Sequence, residues 1–248
     1  MKRTISLLLT AVLLATIISC QNSADQTESS EDPTTVEVTP LVYKVLTAEE
    51  QAALTSEKIL EALKAGNKRF MNNDITARDH SAQVRNSTLG QYPKAVILSC
   101  LDSRVPVEDV FDLGIGDIFV GRVAGNFVNE DLLGSMEFGC KVAGAKLILV
   151  MGHEHCGAVK AAIDDVELGN ITAMLSKIKP AVEQVSDFKG EKTSKNDAFV
   201  HAVCESNVKN TINQIRINSS ILKEMEDNGE IKIVGAVYDL DDGEVAFL

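Results

Sequence analysis

The sequence predicts an α/β fold: a mainly parallel sheet, about four parallel strands plus an edge strand, flanked by helices. Two observations predict it. Four short apolar runs stand at residues 95–98 (Ala-Val-Ile-Leu), 118–120 (Ile-Phe-Val), 147–150 (Leu-Ile-Leu-Val) and 231–237. Runs this short and this continuously apolar suit strands buried on both faces. Between them lie helical apolar patterns at about 130–143, 157–166, 171–185 and 197–217. Residues 244–248, after the Asp241-Asp242-Gly243 turn, suit an edge strand.

Ahead of the sheet, Thr47-Ala48-Glu49-Glu50 has the pattern of a capping box and opens a helical region. Ile59, Leu60, Leu63 and Phe70 continue its apolar face, which runs out near Asn72-Asn73. This arm, residues 47–70, is expected to reach over a partner subunit. Residues 75–93 show no periodicity and read as a connecting arm.

The first residues read as an address. Lys2 and Arg3 give a basic start, and residues 5–18 carry no charge, a run too short to span a bilayer comfortably. It ends in Ile17-Ile18-Ser19-Cys20, which resembles a bacterial lipobox. That resemblance implies cleavage before Cys20 and acylation there, with export and anchoring to a bacterial membrane on its periplasmic or outer side. The expected organisation is a lipoprotein signal peptide at 1–19, a lipidated, flexible acidic tether at 20–45, and a single folded domain at 46–248. The tether is rich in Ser, Thr, Asp and Glu and buries too little apolar surface to offset its ordering entropy.

Composition narrows the function. The chain has 248 residues, 45% of them hydrophobic, enough for one domain with a substantial core. Its formal charge of −12 excludes a nucleic-acid partner, which needs a basic face. Five Cys at irregular spacing do not make a disulfide framework. Cys140 and Cys204 fall in helical patterns and read as buried packing residues, with a pairing between them left open.

Chemistry concentrates after the first and third strands. The first runs into Ser99-Cys100-Leu101-Asp102-Ser103-Arg104, the third into Gly152-His153-Glu154-His155-Cys156-Gly157. In a parallel sheet both segments reach the same edge, where ligands gather. Cys100, His153 and Cys156 form a two-thiolate, one-imidazole set that suits tetrahedral zinc with one position open. Zinc in such a site lowers the pKa of water towards ~7. Asp102 can accept a hydrogen bond from the resulting hydroxide, and Arg104 can hold Asp102 with its planar fork.

Cys-x-Asp-x-Arg followed by His-x-x-Cys, with Gly-Arg-Val-Ala-Gly-Asn at 121–126 between them, resembles the β-class carbonic anhydrases over roughly residues 50–248. The resemblance implies reversible hydration of CO2 to bicarbonate and a proton by attack of zinc hydroxide. It implies one zinc ion per subunit on Cys100, His153 and Cys156, with the Asp102–Arg104 dyad orienting the hydroxide. Substrate contacts are implied at Gln91, at the Gly157 N–H, and at Phe119 and Phe138 across the interface of a homodimer or tetramer. In some members the aspartate swings onto the metal. Members with an inhibitory bicarbonate site carry Trp three residues before the first Cys, where this chain has Ile97, although Val105 and Arg122 match that pocket. The expectation is therefore an open site without bicarbonate allostery. The position of a shuttle histidine in some members is Val142 here, leaving buffer, His155 or Glu154 to serve.

Two other functions suit the same scaffold. One is hydrolysis of carbonyl sulfide or carbon disulfide, which keeps the ligands and changes the pocket. The other is a non-catalytic zinc-binding lipoprotein, which would have no use for Asp102 and Arg104. A thiol redox protein would need Cys-x-x-Cys, and the chain has none.

Overall fold

The computed structural model of the chain describes residues 40–248. The expected signal peptide, Cys20 and most of the expected tether lie outside the described residues. Five strands form one sheet: β1 (Ala95–Ser99), β2 (Ile118–Arg122), β3 (Leu147–His153), β4 (Lys232–Tyr238) and β5 (Val245–Phe247). Their order is β2-β1-β3-β4-β5. The first four are parallel, and β5 pairs antiparallel on β4. The expected α/β architecture is the one observed.

Alternation along β1 and β3 divides the core between the two sheet faces. Val96, Leu98, Ile148 and Val150 point one way, towards helices α5 (Glu130–Glu137), α9 (Asp197–Asn218) and α10 (Ser220–Asp227). Ala95, Ile97, Leu147, Leu149 and Met151 point the other way, towards α2 (Ser56–Met71) and α4 (Val107–Val110). Every residue of β1 and β3 is buried, which is why these runs lack polar alternation.

The N-terminal arm is two helices, not one. The capping box at Thr47 opens α1 (Ala48–Ala52), and Thr55 caps α2 separately. The buried face of α2 does not wait for a partner. Ile59 and Leu63 are 1% and 0% exposed against the chain's own sheet. The expected tether also ends earlier than residue 45. Val42 N donates to the Ala77 carbonyl at 2.9 Å, and Asp79 N donates to the Val42 carbonyl at 3.0 Å.

Residues 75–93, expected as a connecting arm, contain α3 (His80–Asn86), capped by the Asp79 side chain. The helix carries no apolar stripe. Its buried residue is Gln83, whose amide donates to the Lys44 carbonyl at 3.2 Å, so polar bonds rather than hydrophobic periodicity hold it. The pattern at 130–143 is α5 followed by a π-helical turn at Phe138–Val142. The pattern at 171–185 is α7 (Gly169–Leu175) and α8 (Lys179–Gln184), the latter opening with proline in its first turn. Helix α10 was not expected; Ser219 both ends α9 and caps it. Helix α6 (Gly157–Ile163) follows the third strand as expected.

Asp112 ties this arm to the domain. Its buried carboxylate accepts from Arg69 Nε at 2.5 Å, Arg78 Nη1 at 2.6 Å, Thr76 N at 2.9 Å and Thr76 Oγ1 at 2.7 Å. Burial opposes ionisation, but the bonds from Thr76, Arg69 and Arg78 outweigh it and bring the carboxyl to about 2. An unfolded Asp titrates near ~3.9, so the folded value is depressed. This group therefore contributes about 2–3 kcal/mol above pH ~4, lost as pH falls through ~2. Asp112→Ala leaves Arg78, 13% exposed, without its partner and is expected to cost about 3–5 kcal/mol at neutral pH. Urea unfolding across pH measures this, and a deficit that does not shrink towards pH ~3 contradicts the assignment.

Candidate metal centre

Strands β2, β1 and β3 deliver the site side by side. Ser99 is in register with Arg122 on one side and Met151 on the other. Cys100 is the first residue beyond β1, and His153 is the last of β3. Cys156 caps α6 three residues later. The donor atoms of Cys100, His153 and Cys156 all lie within 4.8 Å of one another, and all three residues are buried. Among the described residues this is the one such group of three.

Each donor is prepared by its surroundings. The His153 Nδ1–H donates to the Glu154 carbonyl at 2.7 Å, which leaves the lone pair on Nε2. That Nε2 is buried and has no hydrogen-bond partner. Cys100 and Cys156 place their sulfurs 3.9 Å apart. The Cys156 S–H lowers the pKa of Cys100, while the Cys100 thiolate, reinforced by burial, raises that of Cys156. Two thiols this close and this buried resist ionising together unless a cation lies between them. An orphaned imidazole nitrogen aimed at such a pair fits a thiophilic dication, and the soft donors favour zinc over calcium or magnesium.

Asp102 and Arg104 stand at the mouth of this cluster. Arg104 grips the carboxylate with Nε at 3.0 Å and Nη2 at 2.8 Å, and its backbone N adds a third bond at 2.9 Å. Those bonds, the Arg104 side chain first, hold Asp102 well below the usual carboxylate range. Asp102 is thus an anion that only accepts hydrogen bonds. Its Oδ2 is 3.8 Å from His153 Nε2. Arg122, from β2, fixes the same loop through its backbone, donating to the Cys100 carbonyl at 2.9 Å and the Asp102 carbonyl at 2.5 Å.

The fold thus brings together Cys100, His153, Cys156, Asp102 and Arg104, with Gly157 beginning α6 beside them. It does not bring Gln91, Phe119 or Phe138 to them within one chain. Gln91 is exposed in the loop that enters β1, whereas Cys100 leaves that strand at its far end. Phe119 is in register with Val96, near the entry end of β1, and packs edge-on against Phe138 at 6.3 Å. The two rings line a cavity of about 710 Å³ along the edge strand β2, with Leu132, Val120 and Met136. Phe138 is 50% exposed.

The shuttle candidates are engaged elsewhere. The Glu154 carboxylate accepts from His201 Nδ1, a pairing the sequence did not suggest, and His155 Nδ1 is 3.4 Å from Asp197 Oδ1. Cys140 and Cys204 are both free and pack in different clusters, and burial pushes each thiol up to about 12. They are packing residues rather than a disulfide.

A mainly parallel sheet with a buried Cys-His-Cys donor set at its carboxyl edge is the frame of an enzyme family that comparison with known proteins identifies. Residues 95–245 match the carbonic anhydrase family, and the chain belongs to it. Carbonic anhydrase 2 of Mycobacterium tuberculosis is 36% identical over 191 residues, covering 74% of this chain and 88% of that protein. A carbonic anhydrase of Mycolicibacterium smegmatis is 36% identical over 190 residues, covering 75% and 89%. Among solved structures, a Coccomyxa β-carbonic anhydrase in complex with acetazolamide superposes with a TM-score of 0.61 at 26% identity, covering 77% of this chain and 85% of that one.

Proposed function

We propose that the protein catalyses the reversible hydration of CO2 to bicarbonate and a proton at a zinc ion held by Cys100, His153 and Cys156. The observation that carries this reading is the orphaned His153 Nε2 converging with two buried thiols beside an ionised Asp102. When bound, zinc supplies a Lewis acid that makes water available as a nucleophile near neutral pH.

The chain's own residues supply selection and orientation. Asp102, fixed by Arg104, can only accept, so an oxygen beside it is held there only if it carries a proton to donate. Donating that proton aims the oxygen's remaining lone pair away from Asp102 and towards an incoming carbon. Asp102 lies outside the donor set and is occupied by Arg104, which supports the open form of the site. The Gly157 N–H, at the start of α6 next to Cys156, donates to a substrate oxygen in this reading. The apolar wall comes from Phe119 and Phe138 of a second copy, since one chain leaves them along an unpaired edge strand.

Stopped-flow CO2 hydration by the purified, zinc-loaded protein tests this directly. Rapid turnover is expected. Bound zinc without turnover would move the scaffold to the sulfur substrates or to a binding role.

Export with lipid anchoring at Cys20 is part of the same reading. It is supported by the Lys2-Arg3 start, the uncharged 5–18 run and the Ile17-Ile18-Ser19-Cys20 sequence. Cys20→Ser is expected to move the protein from the membrane fraction to the soluble fraction. Equal partition of the two forms would contradict it.

A further inference from the structure

Helix α9 packs against the sheet beneath the candidate metal-ligand loops, and two glycines make room for it. A Cβ on Gly152 would meet Val208 Cγ2 at 2.9 Å, and one on Gly235 would meet Val208 Cγ1 at 2.7 Å. The two glycines sit on neighbouring strands, β3 and β4, so Val208 fills a notch in the sheet.

At that depth, two α9 side chains one turn apart reach backbone of the site. Cys204 Sγ donates to the His153 carbonyl at 3.3 Å. Asn207 Nδ2 donates to the Gly125 carbonyl at 2.7 Å. The Gly125 N–H in turn points at the Cys100 sulfur, 3.3 Å away. Gly125 has φ +82°, and a Cβ there would strike Ile178 Cδ1 at 2.3 Å, so only glycine takes this conformation in this place.

We infer that Asn207 is a positioning residue of the metal centre: by fixing Gly125 it aims that residue's N–H at the Cys100 sulfur. The inference rests on the metal-centre reading given above. An N–H···S bond withdraws electron density from a thiolate, and two thiolates otherwise donate so strongly that they blunt a metal's acidity. Asn207 acts by orientation, because the carbonyl it holds and the N–H that meets sulfur belong to different peptide units.

A packing role alone does not account for this residue. Asn207 is 1% exposed, and its Oδ1 is buried with no partner. An unpaired buried acceptor costs stability that an apolar residue of similar size would not. The one side-chain hydrogen bond of this amide leads to the site.

The test uses the full chain loaded with an NMR-active cadmium isotope. A scalar-coupling cross-peak is expected between the metal and the Gly125 amide proton, transmitted through Cys100 Sγ. In Asn207→Leu this cross-peak is expected to vanish and metal affinity to fall about 10- to 100-fold. Thr211→Val, one turn further along α9, removes a buried hydroxyl that has no partner and should leave both readouts unchanged. Should Asn207→Leu fail to fold, Asn207→Ala removes the donor without adding bulk and is expected to weaken the cross-peak. A cadmium-loaded parent without the Gly125 cross-peak overturns the inference while leaving the metal centre intact. An unchanged cross-peak and affinity in a folded Asn207 variant, or an equal loss in Thr211→Val, also overturns it. A parent that binds no cadmium overturns the metal-centre reading, and this inference with it.

Discussion

Cys156→Ala is expected to reduce bound zinc from about one per chain to about none and to abolish CO2 hydration. Cys156 supplies one of two sulfurs that face each other at 3.9 Å in a buried setting. Without it, Cys100 and His153 remain as two donors on separate loops, too few to close a tetrahedral site with one exchangeable position. The metal's charge stabilisation is worth several kcal/mol, which is on the order of 10³-fold in rate. The substitution removes one small, 1% exposed side chain from the cap of α6, so the metal-free fold should persist. Zinc content, CO2 turnover and circular dichroism on one preparation check all three points. Zinc retained with full activity would place the metal elsewhere.

Asp102→Ala is expected to keep zinc and lose about 10²- to 10³-fold in kcat. The variant separates orientation from metal binding, because Asp102 is not among the clustered donors. Two features protect the fold against it. Arg104 is 54% exposed and becomes solvated when released, and Arg122 still clamps the Cys100 and Asp102 carbonyls. Asp102→Asn should be no better than Ala. An amide can turn a donor towards the attacking oxygen and occupy the lone pair that should face CO2. The parent carboxylate is held well below the usual range, so it stays ionised wherever the protein is folded at ordinary pH. A pH–rate limb near neutrality therefore belongs to another group. A zinc-loaded Asp102→Ala with unchanged kcat would remove Asp102 from the reaction.

The sheet was legible because its central strands are buried on both faces, and burial wrote itself as continuous Val-Ile-Leu runs at 95–98 and 147–150. The donor set was legible because Cys100 and His153 fall at the ends of those runs. Helix α3 was not, since the buried Gln83 amide holds it and no apolar spacing announces it. Helix α10 was hidden by Ser219, which closes one helix while capping the next. The split of the arm at Thr55 was likewise masked by apolar residues that continue the stripe on both sides. Polar support beneath the site was out of reach of any local pattern. Gly125 stands inside the 121–126 motif, but its link to Asn207, like the reach of Cys204, exists only because the notch at Gly152 and Gly235 brings α9 against the loops.

The candidate metal centre hangs from the exit ends of β1 and β3, strands that have a hydrogen-bonded neighbour on each side. Such strands are the last part of a sheet to open, and their amides exchange with solvent only through global unfolding. The centre therefore has no private melting route, and the donor set should hold together until the sheet itself gives way. Release of metal in rising denaturant should coincide with loss of the sheet's circular dichroism in one transition.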